Sequence, residues 1–157
     1  MNLDTLGSIG EAVGALAVLV SVVYLAIQLK QHTTQLKDAA MKASIDEFNA
    51  YRLVLFENED AARIWAKGTK STQDFDEVEF LRFRSAVGHV LSSIWGLYLR
   101  VQSGTIEAEM SYVDSLVDGL GTMEGVAEMW VNLKPTFPPD FAEYIDQRFR
   151  TASKNTG

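Results

Sequence analysis

Few residues in this 157-residue chain have the types and spacing that chemistry requires. It has two histidines, His32 and His89, and no cysteine. Thiolate nucleophiles, disulfides, iron–sulfur clusters and cysteine-based zinc sites are therefore excluded, and a histidine-rich metal site has too few ligands. Carboxylates pair at Glu107 and Glu109 and again at Asp114 and Asp118. The second pair is four residues apart, so both fall on one helix face, where two carboxylates can meet a hard cation. With no third ligand and no EF-hand-like loop, the pair reads as solvated surface instead. His89 belongs to a row of small and polar residues, Arg82, Ser85, His89, Ser92, Gly96 and Arg100. On such a face a lone histidine reads as solvated or bonded to a neighbour, rather than as a base or a pH sensor. No Gly-x-Ser-x-Gly elbow is present, and Gly119, Gly121 and Gly125 neither match the dinucleotide fingerprint nor follow a strand. The residues point to no catalytic group, no metal site and no cofactor.

Glu11 is the exception, because of where it stands. From Ala12 to Ile27 the sequence AVGALAVLVSVVYLAI carries no charge, and the 21 residues from Ile9 to Leu29 are interrupted only by Glu11. At a rise of about 1.5 Å per residue they reach roughly 31 Å, the thickness of a bilayer's hydrocarbon core. The chain-wide mean hydropathy of 0.00 conceals this split between an apolar first fifth and a charged remainder. The remainder is acidic: 14 Lys and Arg against 21 Asp and Glu give a net charge of −7, which argues against a nucleic-acid partner. No Lys or Arg precedes Lys30, so the segment lacks the basic leader of a cleaved signal and is expected to remain attached. Lys30, Lys37 and Lys42, with His32, come after the span, whereas Asp4 and Glu11 lie before or at its start. The positive-inside rule then places the amino terminus outside and the rest in the cytoplasm.

Within the span Gly7, Gly14, Ser21 and Gln28 recur every seven residues, with Gly10, Ala17 and Tyr24 on the neighbouring row and Glu11 adjoining. Seven-residue spacing collects them on one face, and Gly10 and Gly14 form a GxxxG pair. Small residues allow helix backbones to approach, so this stripe is expected to pack against another helix. A carboxylate in a membrane is costly unless it meets water or a partner. Glu11 is thus either an interfacial carboxylate among headgroups or part of a carboxylate ring around an opening.

The elements can be placed from the apolar period. No Pro or Gly occurs between Gln28 and Lys67, and Leu36, Ala40, Ala43, Phe48, Tyr51 and Leu55 recur at three to five residues. The spanning helix is therefore expected to continue into the cytoplasm, with a kink at Thr33 and Thr34. A short helix through Ile64 and Trp65 ends at Gly68. A long one runs from Phe80 to Val101 and stops at Gly104, and helices over Glu107–Leu120 and Met123–Leu133 come next. The run Lys134 to Pro139 is a stiff connector, and Asp140 opens a last helix bearing Phe141, Ile145 and Phe149. The fold expected is all-α, one transmembrane helix continuing into a cytoplasmic bundle of about five helical segments. Its parts are an extracytoplasmic terminus (1–8), the span (9–29), the cytoplasmic domain (30–150) and a flexible tail (151–157). The aromatics, among them Trp65, Phe83, Trp95, Tyr98, Trp130 and Phe141, are expected mostly in the core, with some between subunits.

The stretch IGEAVGALAVLVSVVYLAIQ from Ile9 to Gln28, with the Lys- and Gln-rich helix after it, resembles a widespread group of small bacterial proteins with one amino-terminal span and a helical cytoplasmic part. Trp130 and the run Phe137, Pro138, Pro139, Asp140, Phe141 are similar to theirs as well. The resemblance implies a bacterial inner-membrane protein and a motif formed by Gly10, Glu11, Gly14, Ser21, Tyr24 and Gln28; it transfers no active-site residue. The expected function is that of a non-enzymatic, homo-oligomeric scaffold or regulatory protein whose partners are the lipid bilayer and further copies of itself. Two alternatives stand beside it: a homo-oligomeric channel lined by the stripe, and an accessory subunit of a larger membrane complex.

Overall fold

The computed structural model describes residues 3 to 155 apart from Glu107, without the side chains of residues 3–6, 8, 9, 51, 56 and 155. Expectations resting on Met1, Asn2, Glu107, Thr156 and Gly157, or on the side chains of Asp4, Ile9, Tyr51 and Phe56, lie outside the described residues. Among those described the fold is all-helical, with six α-helices and no strand: α1 (Leu3–Glu57), α2 (Glu59–Gly68), α3 (Glu77–Gln102), α4 (Met110–Gly121), α5 (Glu124–Leu133) and α6 (Pro139–Asn155). A single 3-10 turn, Lys134–Thr136, occupies the expected Pro-containing connector. The chain divides into two compact units, Met1–Ala39 and Ala40–Gly157.

The first unit is helical and carries the segment that is long and apolar enough to cross a membrane. Helix α1 runs through Thr33 and Thr34, where each hydroxyl donates to the carbonyl four residues back, at 2.9 Å to Leu29 and 3.1 Å to Lys30. This self-bonding satisfies the hydroxyls within the helix.

The second unit is a bundle around α3. Phe83, Val87, Leu91, Ile94 and Leu97 are spaced at three to four residues and nearly fully buried, so one stripe of α3 faces the core. Asp76 caps its start: the carboxylate accepts the Glu79 N–H at 2.8 Å, while Glu79 accepts the Asp76 N–H at 3.4 Å. Its end is a Schellman turn in which the Gly104 N–H reaches the Val101 carbonyl at 3.1 Å and the Thr105 N–H reaches Arg100 at 2.9 Å. Gly104 has φ +66°, the left-handed conformation this turn demands and a side chain resists. Asn58 caps α2 through the Ala61 N–H at 3.0 Å.

Helices α4, α5 and α6 close the core with Val113, Val117, Val126, Met129, Phe141 and Ile145. The chain turn after α2 lies against the start of α5, where a Cβ on Gly125 would sit 1.8 Å from the Gly68 carbonyl oxygen. Two boundaries differ from expectation. Helix α4 begins at Met110, so Ala108 and Glu109, expected within the helix, precede it, with Glu109 extended as its N-cap. Beyond Arg150 the chain continues α6 through Asn155 instead of forming a tail, and Ala152 is buried.

Candidate functional site

The stripe singled out in the sequence lies on α1. Gly7, Gly10, Glu11, Gly14, Ala17, Ser21, Tyr24 and Gln28 are all solvent-accessible. At about 100° per residue, all but Glu11 fall within an arc of roughly 100°, and Glu11 stands about 40° beyond Gly7. Ala12, Leu16, Leu19 and Val23 occupy the opposite face. A Cβ added at Gly7, Gly10 or Gly14 would touch nothing within 4 Å. Ser21, Tyr24 and Gln28 bond within their own helix. Ser21 donates to the Ala17 carbonyl at 2.8 Å, and the Gln28 amide donates to the Tyr24 hydroxyl at 3.0 Å. Local bonding of this kind lowers the cost of hydroxyl and amide groups in an apolar helix. The arrangement offers a shallow, small-residue track for a second backbone and no constellation for bond-making chemistry.

The aspartate pair on α4 does not face open solvent. Arg148 on α6 donates through Nε to Asp118 at 2.8 Å, makes a second, close bond from Nη2 to the same carboxylate, and approaches Asp114 at 3.5 Å. The Tyr144 hydroxyl donates to Asp114 at 2.7 Å. A bidentate guanidinium fills the space a cation would take. Arg148 is held above its ordinary value by hydrogen bonding to Asp118, while burial, reinforced by Asp114, pushes the Tyr144 hydroxyl up. No group of three metal-ligating side chains occurs among the described residues. The expected consequence is that Arg148→Ala lowers stability by about 1–2 kcal/mol, modest because the pair is partly solvated. A denaturant titration would read this as a lower midpoint at unchanged slope, and an unchanged midpoint would make the network idle.

Sequence reasoning missed the other polar clusters, since each joins residues distant along the chain. Glu79, almost buried, receives Lys67 at 2.5 Å and Arg63 at 3.0 Å, tying α2 to the start of α3. Asp146 receives the Trp130 indole N–H at 2.8 Å and Lys134 at 2.6 Å. The Ser93 hydroxyl donates to Glu47 at 3.0 Å, and Arg100 bonds closely to Ser44, so the end of α1 meets α3 through polar contacts as well as through Met41 and Phe48. The only sequence signal for the Glu79 cluster was the Asp76-x-x-Glu79 capping spacing.

Hydrogen bonding from Lys67 holds the Glu79 carboxyl below the usual carboxylate range, and the Thr72 hydroxyl does the same for Glu128, which accepts it at 2.6 Å. Burial opposes ionisation of Asp146, but Lys134 and Trp130 overcome it and lower that group too. A carboxylate depressed in the folded state contributes stability above its unfolded value, near pH 4, and loses it as pH falls through the folded value. The melting temperature is therefore expected to drop steadily below about pH 4. Glu79→Gln is expected to lower stability at pH 7 and to flatten that acid limb; an unaltered limb in the variant would remove Glu79 from the explanation.

His89 borders an open groove of about 580 Å³ between the end of α1, α2 and α3. One carboxylate, Asp60, lines this groove, and Arg63 engages it at 3.3 Å. Of the α3 row, Arg82, Ser85 and His89 reach the groove, whereas Arg100 turns to Ser44. Glu109 stands at the start of α4 and accepts the Ser111 hydroxyl at 3.1 Å.

No protein-family model, curated protein or solved structure matches the chain.

Proposed function

We propose that the chain is a single-pass bacterial inner-membrane protein, amino terminus outside, whose spanning helices associate through the small and polar stripe. Its helical domain is thereby gathered into clusters on the cytoplasmic side as a scaffold or regulatory element. The observation that carries this reading is the state of the apolar stretch after Gly10: nothing in the structure covers it, and all of its large side chains, Leu16, Leu19, Val20 and Leu25 among them, are more than half exposed. So long an apolar surface needs a nonaqueous environment. Lipid satisfies the Val, Leu and Ile faces, and a neighbouring helix fits the glycine track, where close backbone approach gains van der Waals contact. Lys30, His32 and Lys37 after the span support a cytoplasmic placement of the helical domain.

The test is the native mass of the detergent-purified chain. A discrete oligomer supports the reading. A monomer that captures one dominant foreign membrane protein would turn the stripe toward a larger complex and overturn self-association. Ion flux in liposomes that disappears with Glu11→Gln would replace the scaffold with a channel.

A further inference from the structure

The groove beside His89 has the build of a ligand site that owes nothing to the membrane stripe. At about 580 Å³ it falls in the range of small-molecule clefts. Its floor is apolar: Ile64 and Phe83 are buried, with the Trp65 ring 5.6 Å from that of Phe83, centroid to centroid. Leu81, near the start of α3, lines the groove and is more than half exposed, an apolar side chain left uncovered at its margin.

The charge around this floor is uneven. Asp60 is neutralised by Arg63, which also reaches Glu79, so the one lining carboxylate is already answered. Arg82 lines the same groove and has no carboxylate partner among the described residues. A guanidinium presents a planar fork that matches a carboxylate in two parallel hydrogen bonds. The row Arg82, Ser85, His89, which the membrane reading leaves unused, therefore forms one polar wall above an apolar floor.

We propose that this groove binds a small amphipathic carboxylate, with its apolar body on Ile64, Trp65 and Phe83 and its carboxylate paired to Arg82. Occupation would tie the end of α1, α2 and α3 together, since all three contribute walls. The anion supplies the charge that Arg82 lacks, and its body covers surface that Leu81 now exposes.

The experiment titrates the full-length protein in phosphatidylcholine nanodiscs with 3-phenylpropionate, 3-phenylpropanamide and 3-phenylpropylamine. Calorimetry is combined with tryptophan fluorescence, because Trp65 lies in the groove, and protein-free nanodiscs subtract partition into lipid. The expected result is saturable binding of the acid at one site per chain, with the amide and the amine at least about tenfold weaker. Arg82→Gln is expected to weaken the acid about tenfold while leaving the amide alone, and Ser85→Trp to fill the groove and abolish both. Arg82 and Ser85 are exposed, so circular dichroism should report an intact fold in each variant. Absence of saturable binding, equal affinity for the three compounds, or an acid affinity unchanged by Arg82→Gln would each overturn the proposal.

Discussion

Gly14→Leu is expected to dissociate the purified protein, shifting a discrete oligomer toward monomer by at least about tenfold in association constant, about 1.4 kcal/mol. The argument rests on space. A Cβ at position 14 meets nothing within the protomer, so the substitution leaves the isolated chain's packing untouched, and leucine is a better helix former than glycine. Any loss must then come from the contact with another helix, where a branched side chain holds the backbones apart. Leu16→Ala, on the opposite face, provides the contrast: it trims lipid-facing surface and should leave the mass unchanged. Sedimentation in density-matched detergent reads both, and equal masses for Gly14→Leu and the parent would contradict close packing at the stripe.

The second large effect falls in the helical domain. Gly125→Ala places a methyl group 1.8 Å from the Gly68 carbonyl oxygen and 3.2 Å from the Ser71 nitrogen. Those atoms are backbone, so no side-chain rotation relieves the clash, and α5 must move off the turn after α2. The shift would also break the bond from the Gly125 N–H to the Thr69 carbonyl, 3.3 Å in the parent. Overpacking that displaces backbone is expected to cost about 3 kcal/mol or more, roughly 10–20 °C in melting temperature for a domain of this size. Gly119→Ala provides the control. That position is exposed, helical and open on all sides, so alanine should be neutral or stabilise by about 0.5–1 kcal/mol through helix propensity. Thermal melts of both variants decide it, and similar melting temperatures for the two would show that α5 does not approach the turn so closely.

The long elements were legible because their residues repeat. Helix α3 could be read from Phe83, Val87, Leu91, Ile94 and Leu97, whose period is the period of the helix itself. Helix α2 was visible through Ile64, Trp65 and the closing Gly68, and the connector through its prolines. What escaped depends on contacts between distant segments. Asp114 and Asp118 were recognisable as a pair on one face, but Arg148, 30 residues beyond Asp118, bears no local mark of being their partner. The burial of Ala152 was likewise invisible. A Cβ on Gly121 would lie 3.1 Å from that of Ala152, and such a meeting of two small residues leaves no apolar period to detect. The stripe was fully readable as a pattern, whereas the groove under Arg82, Ser85 and His89 required the packing of three helices.

The absence of native cysteine allows the central claim to be tested within the membrane itself. Single cysteines introduced along α1 at positions 13 to 24 and oxidised in native membranes report which face meets a second copy. The account predicts disulfide-linked dimers that peak at 14, 17 and 21 and vanish at 16, 19 and 23. Uniform crosslinking along the helix, or a maximum at 16, 19 and 23, would contradict it.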